Sequence, residues 1–260
     1  MGKDFFWLHL RDLPYFRAML RSVEAYYYQD YVLNPPVLDV GCGDGHFASL
    51  VFDQPIDIGI DPWIGPIRQA ARHSGYRHLV QTEGARIPFT DEYFGSAVSN
   101  SVLEHIPQVQ AVLVEVARVI KPDAYFLFSV PNERYLSELS IASKFRRIKS
   151  SRLANAYTNW FKRLSRVHHA DQPEVWIRWL DEAGFYVEKW WNYFSPQAMR
   201  VMEWGHYFGA PTLLPHLIAK RWIIAPTRWN LALTDKLIRP FTNPAPIQDG
   251  AFTFYVARKC

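Results

Sequence analysis

Cysteine is scarce: the chain has two in 260 residues, Cys42 and Cys260. Two distant thiols make no disulfide framework, which excludes a small cross-linked scaffold and points to a reducing compartment. Long hydrophobic runs are also missing. The longest charge-free stretch near the C-terminus, Trp204–Ala219, is too short for a membrane span and is broken by Pro211 and Pro215. The first residues, MGKDFFWLHLRDLP, interleave charge with apolar side chains and lack the apolar core of a secretion signal. Phe6 stands where a myristoylation signal wants Ser or Thr. No internal repeat is visible. These absences predict a cytoplasmic chain, with attachment to the inner face of a membrane limited to its periphery.

What is present is apolar surface, 49% of residues with 16% aromatic, ample for the core of one elaborated domain spanning 1–260. The formal charge is only +4, but it is unevenly placed. Residues 134–170 hold nine Lys/Arg (Arg134, Lys144, Arg146, Arg147, Lys149, Arg152, Lys162, Arg163, Arg166) against Glu138 alone. That net +8 leaves the rest of the chain at −4, so the basic character is a local patch.

Leu13, Phe16, Leu20, Val23 and Tyr27 recur at helical spacing and predict a helix over 13–30. Short apolar strands are expected at Val37–Val40, Ile56–Ile60, His78–Thr82, Ser96–Asn100 and Tyr125–Val130. Helical stretches at Phe47–Phe52, Ile67–His73 and Val109–Ile120 separate them. That alternation implies parallel pairing with helices on both faces. The regular order then breaks at a basic, helical insertion over 133–170. A helix at Pro173–Ala183 and a strand at Phe185–Trp191 follow. A long segment rich in aromatics and proline, 193–250, precedes a last strand, Ala251–Ala257. A segment that long is usually functional or a subdomain.

The loop after the first strand, LDVGCGDGHF (38–47), carries Gly41, Gly43 and Gly45 at alternate positions before a helix. A lone glycine turn is weak evidence, but between strand and helix it permits close backbone approach to a ligand. Asp61 closes the second strand, 20 residues after Gly41, where an acid accepts from a ribose. NAD and S-adenosylmethionine both present that ribose. Asp39, just before the first glycine, discriminates. A second carboxylate is poor company for a pyrophosphate at a helix N-terminus and suits the cationic methionine end of S-adenosylmethionine. Glu83, at the third strand's end, can accept from an adenine amino group.

LDVGCGDGHF, GIDPW, EGARIPFTDEYFGSAVSNSVLEHI and LVEVARVIKPDAYFLFSVPN, in this order, resemble the class I S-adenosylmethionine-dependent methyltransferases. The style is that of the small-molecule branch with the VLEHI signature. The resemblance is dense over 37–131 and returns at DEAGFYVEKWW. It implies a Rossmann-like α/β fold: a seven-stranded, mostly parallel sheet whose last strand is antiparallel, with helical insertions. It puts Asp39, Gly41 and Gly43 at the methionine end of the cofactor and Asp61 on the ribose hydroxyls. Glu83 falls near the adenine, Pro62 and Trp63 flank that ring, and Asn100 lies under the sulfonium. Glu83-Gly84 replaces the family's frequent Asp-Ala, and Pro122-Asp123-Ala124 its Pro-Gly-Gly; Gly95 stands where an acid is usual. None of these removes a needed cofactor contact.

Methyl transfer from a sulfonium needs mainly alignment, and a hydroxyl acceptor also needs a proton acceptor. His105, just past the fourth strand, and His168-His169 are the candidates, although packing or capping of the local helix is the more ordinary role for His105. A metal site would want a further acid where Ser101 stands, so none is expected. The basic segment interleaves Ile141, Phe145, Ile148, Leu153 and Tyr157 with its charges, the pattern of an amphipathic helix facing an anionic acceptor or membrane surface. Nothing resembles a nucleic-acid reading module. The aromatic segment suggests a cap forming an apolar acceptor channel or interfacial anchor, with Lys220, Arg221 and Arg228 at its rim. The expected function is methyl transfer to oxygen of a small-molecule, lipid-linked or glycan-linked acceptor. The competing expectation is a non-catalytic S-adenosylmethionine-binding protein; an NAD oxidoreductase is disfavoured by Asp39 and Glu83.

Overall fold

The computed structural model describes residues 2–209, 212–219 and 221–260. Helices α1 (Phe5–Leu10) and α2 (Tyr15–Gln29) precede the sheet. Then come β1 (Val37–Val40), α3 (His46–Val51), β2 (Ile56–Asp61), α4 (Ile64–Ala70), β3 (Tyr76–Gln81), β4 (Phe94–Asn100), α5 (Val109–Val119) and β5 (Ile120–Pro131). The basic segment folds into α6 (Arg134–Ser137), α7 (Ser140–Arg147) and α8 (Ser151–Ser165). It is followed by α9 (Pro173–Glu182), β6 (Phe185–Tyr193), α10 (Pro196–Phe208), α11 (Leu213–Ala219), α12 (Arg228–Ile238) and β7 (Phe252–Lys259).

The seven strands form one sheet in the order β3-β2-β1-β4-β5-β7-β6. Pairs β1–β2, β1–β4, β2–β3 and β4–β5 are parallel, with Asp39 opposite Gly59 and Val98. Strand β7 runs antiparallel between β5 and β6. The sheet is thus the expected one. Both faces are covered, as a parallel sheet requires. On one face α1, α2, α3 and α10 pack over Val37, Val98, Leu127 and Phe254. On the other, α5 and α9 pack over Leu38, Val40, Ala97 and Phe128. There Trp176 of α9 is fully buried beside Phe128 and Tyr255, whose rings stack with centroids 4.8 Å apart. Burying a side chain of this size contributes roughly 3 kcal/mol before entropy is counted.

Several boundaries differ for local reasons. Helix α4 starts at Ile64, so Pro66 lies in its first turn, where the missing N–H has no intrahelical partner to lose. The N-terminal stretch forms α1 because Phe5, Phe6, His9 and Leu10 share one buried side that its interleaved charges obscure. The basic segment is broken rather than continuous, with Lys149 in the left-handed region (φ 58°) between α7 and α8.

A buried carboxylate holds the basic segment to the aromatic one. Glu203 of α10 is fully buried. It accepts from the backbone N–H groups of Ser140 (2.6 Å) and Ile141 (3.2 Å) at the start of α7, and from the Tyr157 hydroxyl of α8 (2.7 Å). Those N–H groups have no intrahelical acceptor, and an anion suits that helix end. Glu203→Ala is therefore expected to lower stability by about 2–3 kcal/mol. It should also open residues 140–165 to trypsin. An unchanged denaturant midpoint and cleavage pattern would show that this carboxylate is not what holds the two segments together.

Candidate active site

The strand order reverses between β1 and β4, and at the carboxyl ends of those strands lies a cleft of about 1920 Å³. Such a switch point is where open α/β sheets take ligands. The glycine loop forms its floor. The N–H groups of Gly41 and Cys42 both donate to the Ile60 carbonyl, each at 2.9 Å. Gly41 has φ 86°, and a Cβ there would lie 2.3 Å from the Val102 side chain. Gly45 has φ 76°, and its Cβ would meet the Ala70 backbone at 2.8 Å. At these two positions only glycine fits, both by conformation and by space.

Asp61 fastens this loop. Its Oδ2 accepts from the Gly43 N–H (3.1 Å) and its Oδ1 from the Trp63 N–H (2.9 Å). Pro62 and Trp63 line the cleft beside it, Trp63 with 71% of its surface exposed. Asp39 is buried beneath the loop, accepting from the Tyr76 hydroxyl at 2.5 Å. Burial pushes its carboxyl up to about 7, opposed by the Tyr76 hydrogen bond and reinforced by the charge of Asp61. Burial also raises Asp61, against its two backbone donors. Glu83 is exposed at the cleft's edge. Asn100 lines the cleft as well, but its side-chain amide is engaged: it donates to Glu24 of α2 (2.8 Å) and accepts from the Ser129 hydroxyl (3.2 Å). The cleft therefore gathers Asp39, Gly41, Gly43, Asp61, Pro62, Glu83 and Asn100 from separate strands, together with His105.

Of the histidines, His105 is half-exposed, and its Nδ1–H donates to the Arg166 carbonyl (3.0 Å), which leaves Nε2 unprotonated in the neutral ring. Burial lowers its basicity. His168 faces the same cleft. His169 does not line it: its ring is held between Asp171 (3.2 Å) and the Ile106 carbonyl (3.1 Å), edge-on to Trp179. Among the described residues, no group of three or more His, Cys, Asp or Glu side chains is placed to hold a metal ion.

Residues outside the expected set also line the cleft. Glu104 has a side chain only 4% exposed, and its Oε2 has no hydrogen-bond partner. Its Oε1 lies 3.7 Å from His105 Nε2. Burial holds its carboxyl well above the usual carboxylate range, and nearby Glu24 adds to the effect. The Glu104 carbonyl, by contrast, is well tied, accepting from the N–H groups of His168 (2.8 Å) and His169 (3.1 Å). A buried polar atom left unpaired at a cleft asks for a ligand or a proton to explain it. Ser101 beside it adopts φ 53°, a conformation costing a non-glycine residue about 1–3 kcal/mol and typical of functional sites.

From α2, Arg17 and Arg21 reach the cleft one turn apart. Arg21 is 3.9 Å from Asp44 of the glycine loop, and its Nη1 is buried with no hydrogen bond. Burial and the charge of Arg21 bring Arg17 down to about 10. The i, i+4 spacing of two arginines on a helix otherwise facing the core is the sequence signal that marks them. Lys162, Arg163 and Arg166 of the basic segment also line the cleft, as do Met202, His206 and Trp222, of which His206 packs on Phe16 and Trp222 on Arg17 of α2.

The stability of the unliganded protein should report on Asp39. Between pH 3.8 and about 7 the folded form keeps a proton that the unfolded chain has lost. The group therefore opposes folding more as pH rises through that window, and by a constant amount above it. Asp39→Asn is expected to gain stability relative to wild type across that range. A pH-independent difference between the two would show that Asp39 ionises like a surface acid.

Residues 38–128 match a family described as methyltransferase domain. Over 105 residues the chain is 36% identical to a fatty-acid O-methyltransferase of Mycolicibacterium smegmatis, covering 38% of either chain. The chain thus spans about two-fifths of the length of the curated relatives it matches. A solved S-adenosylmethionine-dependent methyltransferase from Thermotoga maritima superposes with a TM-score of 0.56 at 15% identity, covering 98% of this chain and 93% of that one. Geranyl diphosphate C-methyltransferase from Streptomyces coelicolor, solved with Mg2+, geranyl diphosphate and S-adenosylhomocysteine, does so with a TM-score of 0.56 at 12% identity, covering 95% and 84%. At such identities these two structures speak for the fold.

Proposed function

We propose, for a chain whose residues 38–128 belong to the class I S-adenosylmethionine-dependent methyltransferases, that it methylates an oxygen of an apolar, lipid-linked acceptor carrying an anionic group. The insertions at 133–170 and 193–250 then elaborate one methyltransferase domain, and a membrane surface is where such an acceptor is met. The observation that carries this reading is the mixed lining of the cleft. Acids from three strand ends line it together with Lys162, Arg163 and Arg166 and the apolar surface of Met202 and Trp222.

The residues present fit S-adenosylmethionine, which supplies a methyl group already activated on a sulfonium. The glycine loop, turned by Gly41 and Gly43 at positive φ, brings backbone to the cleft, Asp39 offers a buried carboxylate to a cationic amino-acid end, and Asp61 retains lone pairs for ribose hydroxyls. Arg17 and Arg21, beside Asp44, are placed for a carboxylate next to the glycine loop. Glu83 is free to accept from an adenine amino group. Glu83→Gln is expected to weaken binding of S-adenosylmethionine about five- to tenfold with the fold intact, the scale of one ordinary hydrogen bond. Equal affinities by calorimetry would mean that this acid points elsewhere.

Lys162, Arg163 and Arg166 hold the anionic part of the acceptor, and the apolar wall orients its hydrocarbon. Glu104 takes the proton that the acceptor oxygen gives up. A positive charge in the same cleft favours the ionised form of its carboxyl, and its depth in the wall keeps it basic. The acceptor oxygen uses a lone pair to form the O–C bond, the C–S bond breaks with its pair going to sulfur, and the O–H proton passes to Glu104. The test starts with methyl-labelled cofactor, purified protein and a lipid extract, followed by identification of the labelled product. Label in a lipid soluble only in organic solvent is expected; label in protein or water-soluble metabolites alone rejects the acceptor class. With that product in hand, Glu104→Gln should lower kcat by roughly 10²–10⁴ while cofactor affinity stays. A parallel loss of cofactor affinity would make Glu104 part of the binding site instead.

A further inference from the structure

Apolar surface is exposed where the chain has most reason to cover it. Helix α12 turns Leu231 inward but presents Trp229, Leu233 and Leu237 to solvent, at 79%, 69% and 58% exposure. These three lie at i, i+4 and i+8, a single stripe along the helix. Helix α11 does the same with Leu213, Leu214, Leu217 and Ile218, each at least half exposed. Phe208 at the end of α10 and Ile224 between the helices add to it. The segments adjoin one another, since Phe208, Thr212, Ile223 and Leu231 surround one small hollow against Leu10 and Tyr15. In a water-soluble setting amphipathic helices turn such stripes to the core. Here the core side is already occupied and the second apolar side is left outward.

The rim is cationic. Arg221, Arg228 and Lys236 are exposed around the stripes, and Asp235, the one acid between Trp204 and Gln248, is bound to Arg239 at 2.6 Å. The basic segment packs on α10, where Lys144 Nζ sits over the Trp204 ring and Trp160 stacks on Tyr207, and its Arg146, Arg147 and Lys149 are exposed. The same region borders the cleft. Trp222, a cleft residue, stacks on His216 of α11 with ring centroids 4.0 Å apart.

We infer that the outward faces of α11 and α12, with Phe208 and Ile224, dock on the surface of an anionic lipid bilayer. Leucine, isoleucine, tryptophan and phenylalanine enter the interfacial layer while arginine and lysine at their border meet the headgroups, the arrangement of an in-plane amphipathic anchor. Among the described residues no helix is long and apolar enough to cross a membrane, so the contact is one of lying on it. A second copy of the chain fits this face less well, because a two-fold pairing would set Arg221, Arg228 and Lys236 against themselves. The inference deepens the reading of an apolar acceptor by giving the cleft a membrane-facing border, but lipid docking stands or falls without any methyl transfer.

The full chain is sedimented with vesicles of phosphatidylcholine mixed with phosphatidylglycerol, and with vesicles of phosphatidylcholine alone. Binding to the mixed vesicles is expected, weakened by salt, with tryptophan emission shifted to the blue. The triple variant Leu217→Gln, Trp229→Gln, Leu233→Gln should bind at least about tenfold less while its melting temperature and its affinity for S-adenosylmethionine match wild type. Absence of vesicle binding by wild type, or full binding by the triple variant, overturns the inference. So does a stable dimer by ultracentrifugation that the triple variant dissolves, which would assign the face to a second copy. Wild-type binding that persists in Glu104→Gln, whether or not that variant turns over, keeps the docking result separate from the proposed chemistry.

Discussion

A single buried carboxylate ties α2 to the strands beside the cleft. Glu24 of α2 has no exposed surface, yet it is met by side-chain donors from Asn100 at 2.8 Å, Ser101 at 2.9 Å and Tyr193 at 2.8 Å, with the Ser129 hydroxyl at 3.3 Å sharing its one proton between Glu24 and Asn100. These donors come from β4 and its tip, from β5 and from β6. Burial raises the Glu24 carboxyl, and the hydrogen bonds from Asn100, Tyr193 and Ser101, with the charge of Arg21, oppose that rise. An acid this deep is tolerable only with its lone pairs filled, so the position of α2 is specified by polar geometry as well as by apolar packing. Arg17 and Arg21 ride on the same helix, and their approach to the glycine loop follows from where Glu24 is held. The left-handed turn at Ser101 is fixed by the same node, through its hydroxyl to Glu24 and its N–H to the Ser129 carbonyl (3.1 Å).

Charge of both signs lines the cleft without pairing. Asp39, Asp61 and Glu104 are withdrawn from water, and burial raises all three. Arg17, Arg21, Lys162, Arg163 and Arg166 line the same cleft, and among the described residues none of them makes a salt bridge to these three acids. The unliganded site therefore stores electrostatic cost in separated, underpaired groups, which a ligand cationic at one end and anionic at the other would relieve. An ordinary structural ion pair would have closed the gap, as Arg258 and Glu188 do at 2.6 Å on the far edge of the sheet.

The insertions cooperate through a second buried acid. Glu203 binds the start of α7 and the Tyr157 hydroxyl, and Tyr157 in turn meets Tyr207 at 2.6 Å. The basic segment and the aromatic segment, distant in sequence, become one helical layer above the sheet. That layer lends Lys162 and Arg163 of α8 and Met202 and His206 of α10 to the cleft.

The block from 37 to 131 was legible because its signals are local. Glycines that need positive φ, apolar runs bounded by turns, and acids at strand ends all lie within a few residues of the features they specify. The edge acids and the glycine loop follow from strand periodicity alone, since parallel strands bring their carboxyl ends to one side. Glu24, Glu104 and Glu203 were not legible. Each is one acid on a helix or short turn, indistinguishable in sequence from a solvated residue; Glu24 and Glu203 take their meaning from donors up to 169 positions away, and Glu104 from burial without one. Arg17 and Arg21 carried only a spacing. Residues 193–250 gave composition without direction: their leucines and tryptophans could equally have formed a core, and only packing shows which stripe is turned outward. The sequence by itself determined the sheet, its loop and the acids at its edge, because backbone conformation and burial of alternating side chains are decided locally. The tertiary structure alone decided which charges are buried, which are left unpaired and which apolar faces stay uncovered, because desolvation depends on everything that surrounds a group and not on its neighbours in the chain.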